Sequence, residues 1–222
     1  MTYAIAVVAH QRRAAAAQRL AEQVGATITW DRGKGEQDTH QRALVSLLDT
    51  DARHLLLLED DALPAPDFHT RVHTDLALLP PRHLASGYLG TGRGAGVPPA
   101  RWDPMVTHLL AQAEGARHHW VVAPAMWHAV AMLIPRTVAT DLHGWLRARP
   151  RAPTDQAVTT WVRAHGWHVA YPVASSWVDH DDGPTVTQHP DHQPRTQPRR
   201  AWRMVRAEQH HEQQHHEQQL QA

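Results

Sequence analysis

Three consecutive acidic residues, Glu59, Asp60 and Asp61, directly follow the continuously apolar run 54–58. Neighbouring carboxylates repel each other and lose hydration at the end of a buried strand, so a cation or strong hydrogen-bond donors must offset the cost. Mg²⁺ and Mn²⁺ prefer carboxylate oxygens combined with substrate phosphate oxygens. The pattern therefore predicts a divalent ion that joins these acids to a diphosphate. The alternative is a solvated turn in which Asp60 or Asp61 caps the next segment.

Two more polar clusters follow predicted strands in the first half of the chain. Residues 10–13 (HQRR) follow the apolar run 3–9, and residues 31–35 (DRGKG) follow the run 26–30. Helical patterns at 14–24, closed by Gly25, and at 39–48 separate the strands. This alternation predicts a doubly wound α/β half whose ligand site lies beyond the carboxyl ends of the strands, where all three clusters fall.

The second half has a more mixed pattern. We predict a strand over 84–89, a glycine-rich loop over 90–99 and two short strands within 120–135. A helix over 155–165, N-capped by Thr154 and ended by Gly166, leads into a strand over 167–172. The predicted fold class is thus α/β, a single domain over 1–190 with a mainly parallel central sheet flanked by helices. A polar tail over 191–222, rich in Pro and Arg and then in Gln, His and Glu, is expected to be helical or disordered.

Composition narrows the possible functions. The 222 residues include 22 basic and 22 acidic side chains, so no overall charge favours nucleic acid or an anionic membrane. Cysteine is absent, which excludes disulfides, thiolate nucleophiles and Cys-based zinc sites. A bound metal must use oxygen or imidazole ligands. The start of the sequence has neither a secretory signal nor a membrane span, so we expect a cytoplasmic protein.

The apolar strand, the three acids and the following ALPAPDF together resemble the DXD-type motif of GT-A-fold glycosyltransferases, especially small bacterial and phage members. The likeness extends to VVAHQRR as an opening strand with a nucleotide-contacting loop, and to ITWDRGKG as a second strand. PTDQAVTTWV resembles the helix start that supplies the base in inverting enzymes, and SSWVDHDDGPT the late metal-binding histidine.

This resemblance implies a metal site, a donor site and a catalytic base. Mn²⁺ or Mg²⁺ is expected on Glu59, Asp61 and His180, although the acids flanking His180 could supply the ligand instead. The base is expected to be Asp155, which could alternatively do no more than interact with the helix dipole. The nucleotide-sugar donor, most simply a UDP-sugar, is expected to contact Ala9, His10, Arg12, Arg13, Asp31, Lys34 and Asp60.

The implied reaction is inverting transfer of a sugar to an acceptor hydroxyl. The acceptor stays open among DNA bases, polysaccharide, protein and small molecules, as does the oligomeric state. One rival is a nucleotidyltransferase, which needs a phosphate-binding glycine-rich loop; the first loop has no glycine, and DRGKG follows the second strand. Another rival is a non-enzymatic metal- or nucleic-acid-binding module that uses the basic segment 195–206 and the tryptophans, which are more often core anchors.

Overall fold

The computed structural model describes residues 2–91, 99–181 and 199–202. Its strands are β1 (Tyr3–Ala9), β2 (Thr27–Trp30), β3 (His54–Glu59), β4 (Ala62–Pro64), β5 (His83–Ser86), β6 (Trp120–Ala123), β7 (Ala131–Pro135), β8 (His168–Pro172) and β9 (Val178–His180). Its α-helices are α1 (Ala14–Val24), α2 (Glu36–Leu48), α3 (Phe68–Ala77), α4 (Pro99–Gly115), α5 (Arg136–Arg147) and α6 (Thr154–His165). The chain is therefore an α/β protein, as the sequence predicts.

Seven strands form a mixed central sheet in the order β2-β1-β3-β7-β5-β8-β6. The pairs β1–β2, β1–β3 and β5–β8 are parallel, whereas β3–β7, β5–β7 and β6–β8 are antiparallel. The prediction of a mainly parallel sheet is therefore wrong, although it holds for β2-β1-β3. An apolar run indicates that a strand is covered on both faces, but it does not indicate the direction of the strand. Strand β7 illustrates this, because it is buried like β3 and yet runs antiparallel to it.

Side chains that alternate along the strands divide the core into two layers. On β1, Ala6 and Val8 face the layer that includes α2, α4, α5 and α6. Ile5 and Val7 face the layer that includes α1 and α3. Five tryptophans are buried in these layers, as expected for core anchors: Trp102, Trp120, Trp127, Trp161 and Trp177. The sheet is thus packed on both faces, and the polar loops follow the ends of its strands.

The helices and strands of residues 3–59 follow the sequence prediction closely, except that α2 begins earlier than predicted. The predicted helix over 39–48 begins three residues earlier, at Glu36, after Gly35, whose positive φ of 90° suits glycine. Gly25 (φ 64°) ends α1 as predicted. The earlier start places Glu36 one turn before His40 on the same helix.

Several details of the second half differ from prediction. The strand predicted over 84–89 spans His83–Ser86, and the Gly87 amide then donates to the carbonyl of Ala131 on β7. Helices α4 and α5 were not predicted, and α4 begins at Pro99, the last residue of the predicted loop; residues 92–98 of that loop lie outside the described residues. Thr154 is the first residue of α6 rather than its cap, which is Pro153. Strands β6 and β7 exist as predicted but do not pair with each other.

A small second sheet fastens the end of the domain to the acidic loop. Strand β9 pairs antiparallel with β4 so that His180 lies opposite Ala62. Residues 199–202 then run beside 89–91, where Gly90 bridges to the buried Ala201. Within the described residues, no helix is long and apolar enough to cross a membrane.

Candidate functional site

Asp60 joins the loop after β1 to the loop after β3. One carboxylate oxygen accepts a hydrogen bond from the His10 amide at 2.7 Å, and the other lies 3.1 Å from Nε of Arg13. Burial raises the pKa of Asp60, while the His10 amide and the charge of Arg13 oppose that rise. Arg13 also reaches Asp181 at 2.6 Å. Asp60 therefore positions the loop 10–13, and its contacts with His10 and Arg13 offset part of the cost of its burial.

Asp61 and His180 form a close pair, although 118 residues separate them in sequence. Nε2 of His180 lies 3.1 Å from one Asp61 oxygen, and Nδ1 of His180 lies 2.6 Å from the carbonyl of Asp181. The second Asp61 oxygen is buried and has no hydrogen-bond partner among the described residues. Because Nδ1 faces a carbonyl it must carry a proton, so Nε2 and the Asp61 carboxylate need a second proton or a cation between them.

The charge environment keeps Asp61 ionised. Burial alone would raise its pKa, but the bond with His180 and the positive charges of His180, Arg199 and Arg13 lower it overall. Arg199 belongs to the segment 199–202, which sequence reasoning assigned to the tail. An anionic carboxylate with one free buried oxygen is a suitable ligand for a hard cation.

The loop after β2 is closed by its own aspartate. Oδ1 of Asp31 accepts hydrogen bonds from the amides of Gly33, Lys34 and Gly35 at 3.0–3.2 Å, and its Oδ2 lies 3.9 Å from Nε2 of His10. These amides are thus not presented to a phosphate. The remaining predicted donor contacts divide by exposure: Arg12 and Lys34 are exposed at this edge, and Ala9 is buried with its carbonyl bonded to the Asp31 amide.

Glu59 faces a histidine that sequence reasoning missed. Oε1 of Glu59 lies 3.5 Å from Nε2 of His40, and Glu36 approaches the same ring from the preceding helical turn. Burial raises the pKa of Glu59 well above its ordinary value, and repulsion from Asp61, Glu36 and Asp155 adds to the rise. The i, i+4 spacing of Glu36 and His40 places both side chains on one face of a helix. The sequence prediction began this helix at Thr39 and therefore left Glu36 outside it.

Asp155 lies in the first turn of α6, near the same acids. Burial raises its pKa to about 6, and the charge of Glu36 adds to this, while the amide of Gln156 opposes it with a 2.7 Å hydrogen bond. The neighbouring Thr154 hydroxyl lies 3.4 Å from Nδ1 of His40. Asp155 is therefore a partly buried carboxyl group that changes charge close to neutral pH.

The structure gathers the predicted catalytic and metal residues at the carboxyl ends of β1 and β3, but in two groups. Asp61 and His180 are paired with each other, whereas Glu59, the third predicted ligand, faces His40 and Glu36 and interacts with Asp61 through charge alone. A comparison of the chain with protein-family models and a search of curated proteins each found no match. Function is therefore inferred from the chemistry of these side chains.

Proposed function

We propose that this protein is a metal-dependent glycosyltransferase that moves a sugar from a nucleoside-diphosphate sugar to an acceptor hydroxyl. The observation that supports it best is the Asp61–His180 pair, in which a carboxylate and an imidazole nitrogen face each other at 3.1 Å beside a free buried carboxylate oxygen. Such an arrangement suits a divalent ion with open positions for substrate oxygens.

The residues present fit that ion. Asp61 and His180 would hold it, whereas the predicted third ligand, Glu59, faces His40 and interacts with Asp61 through charge alone. The hydrogen bond from Nδ1 of His180 to the Asp181 carbonyl fixes the ring so that Nε2 faces Asp61, which is the support that metal-binding histidines commonly have. A bound Mn²⁺ or Mg²⁺ would neutralise charge on a departing diphosphate.

The basic residues beside the pair suit the rest of the donor. Arg13 is held between Asp60 and Asp181, and this anchoring orders the loop that begins at His10. Arg12 and Lys34 are exposed at the same edge and can reach diphosphate oxygens without breaking an ion pair in the described residues. The site therefore combines acids for a cation with free cationic groups for an anion.

Asp155 supplies the proton acceptor in this proposal. A carboxyl group with a pKa of about 6 is largely ionised at neutral pH and is a stronger base than an ordinary aspartate. As the acceptor oxygen attacks the anomeric carbon, the bond from that carbon to the diphosphate breaks and Asp155 takes the hydroxyl proton. Attack on the face opposite the diphosphate gives inversion.

The rival nucleotidyltransferase reading is less well supported by the loop after β2. Its glycine-rich sequence is the part that should bind phosphate, yet three successive amides are committed to Asp31. The two readings also predict different products. Sugar transfer or donor hydrolysis releases a nucleoside diphosphate, whereas nucleotidyl transfer releases pyrophosphate.

Donor hydrolysis tests the proposal without knowledge of the acceptor. UDP-, GDP- and TDP-sugars are incubated with the protein and Mn²⁺ or EDTA, and nucleoside diphosphate and pyrophosphate are quantified. We expect Mn²⁺-dependent release of nucleoside diphosphate from at least one donor, reduced at least about tenfold in Asp61→Asn. Asp38→Asn, which alters a surface pair with Arg42 on α2, is the matched control and should keep the activity.

Two results would overturn the proposal. No hydrolysis of any donor in the panel would remove the evidence for sugar transfer, and pyrophosphate as the sole product would favour the rival. Retained anomeric configuration in a transfer product would leave the enzyme class intact but remove Asp155 from its role as base.

A further inference from the structure

The side chains of Glu36, His40 and Glu59, here called the α2 triad, converge from α2 and the end of β3. One potential ligand atom from each lies within 4.8 Å of the others. His40 is 1% exposed, so its ring is sealed into the protein, whereas the two glutamates are partly exposed. The triad is therefore open to solvent on the carboxylate side only.

The orientation of the His40 ring distinguishes the triad from a simple cluster of acids. Nδ1 lies 3.1 Å from the Glu36 carbonyl, so that nitrogen carries the proton. Nε2 is left as a buried lone pair without a hydrogen-bond partner in the described residues, 3.5 Å from the nearest Glu59 oxygen. Two acceptors that face each other in a buried position need a proton or a cation between them.

We propose that the α2 triad is a binding site for a divalent transition ion, with Nε2 of His40 and the carboxylates of Glu36 and Glu59 as ligands. Metal–ligand bonds of about 2.1 Å set the ligand atoms of one ion about 3–4 Å apart. The 3.5 Å from Nε2 of His40 to Glu59 falls in this range, and the Glu36 carboxylate lies 4.0 Å from Nδ1 of the same ring, with one ligand atom of each residue within 4.8 Å of the others. The site is distinct from the Asp61–His180 pair and does not depend on sugar transfer.

The ligand set indicates which ions fit. One imidazole and two carboxylates favour Mn²⁺ or Zn²⁺ over Mg²⁺ and Ca²⁺, which prefer oxygen ligands alone. The hydrogen bond from His40 to the Glu36 carbonyl is a supporting contact of the kind that fixes metal-binding histidines. Nearby Asp155 and Asp61 add negative charge, which further favours a cation.

Mn²⁺ titration followed by electron paramagnetic resonance tests the site, because only the free ion gives the sharp signal. The whole chain of 222 residues is used, so the histidines of residues 203–222 are the same in every sample. We expect Glu36→Gln to weaken one bound Mn²⁺ at least about tenfold. The matched control Asp38→Asn, two residues further along α2, should bind as the wild type does, and Mg²⁺ should compete poorly.

A third variant separates this site from the proposed active-site ion. Asp61→Asn removes only a neighbouring charge and should weaken this Mn²⁺ much less than Glu36→Gln does, and thermal melting of each variant shows that it is folded. Unchanged Mn²⁺ affinity and stoichiometry in folded Glu36→Gln would overturn the proposal, as would loss of the same ion in Asp61→Asn. Absence of donor hydrolysis would refute the proposed function without affecting this result.

Discussion

Asp155 should make the folded protein less stable at neutral pH, because the fold holds its charge in a partly buried position. Its pKa rises from the ordinary 3.8 to about 6, chiefly through burial, with added repulsion from Glu36. A carboxyl group whose pKa is raised on folding imposes no penalty below pH 3.8. The penalty grows as pH rises to about 6 and is constant above that value.

The size of the effect follows from the two pKa values. At about 1.36 kcal/mol per pKa unit, the rise from 3.8 to about 6 corresponds to a penalty of about 3 kcal/mol at pH 8. Asp155→Asn removes the charge and keeps the oxygen that accepts the Gln156 amide. The loss of a favourable helix-dipole interaction subtracts about 0.5 kcal/mol. We expect the variant to raise the free energy of unfolding by about 2.5 kcal/mol at pH 8.

Urea denaturation in EDTA at pH 4, 5, 6 and 8 measures this effect. The gain in the free energy of unfolding from Asp155→Asn should be near zero at pH 4, increase to pH 6 and then level off. Glu22→Gln, on the exposed side of α1, is the control and should show no such trend. A variant that is equally or less stable at pH 8 than the wild type would refute the reasoning that Asp155 is buried with its charge uncompensated.

Two further changes test how the end of the domain is held. Gly87→Ala would place a Cβ 2.2 Å from the buried Trp177 ring, so we expect it to lower the free energy of unfolding by about 2 kcal/mol in urea denaturation. Gly144→Ala, which has open space at its Cβ, is the control and should be neutral or slightly stabilising. Equal stability of both alanine variants would contradict the packing. Asp179→Ala removes the buried acceptor of the His180 and Ala201 amides and should lower the free energy of unfolding by about 2 kcal/mol. Arg200→Gln removes only the partly exposed partner of the Asp179 carboxylate and should lower it by less than about 1 kcal/mol. The reverse order in thermal or urea unfolding would show that the ion pair, rather than the amide bonds, secures the segment.

Local sequence patterns were sufficient for the elements that carry the site. The apolar run before the acids predicts β3, and Gly25 and Gly166 correctly end their helices because both adopt the left-handed conformation that glycine tolerates. The pattern also placed the residues 59–61 at the carboxyl end of a strand. These features depend on residues that are close in sequence, so they can be predicted from the sequence alone.

Which side chains meet at the site was decided by tertiary structure. The pairing of β9 with β4 brings His180 to Asp61. Because α2 begins at Glu36, this residue lies one turn before His40, and both face Glu59. Strand direction, register and helix phase follow from long-range packing, which apolar patterns do not encode. The sequence alone determined that acids end a buried strand of an α/β protein, and only the fold decided which histidine each acid faces.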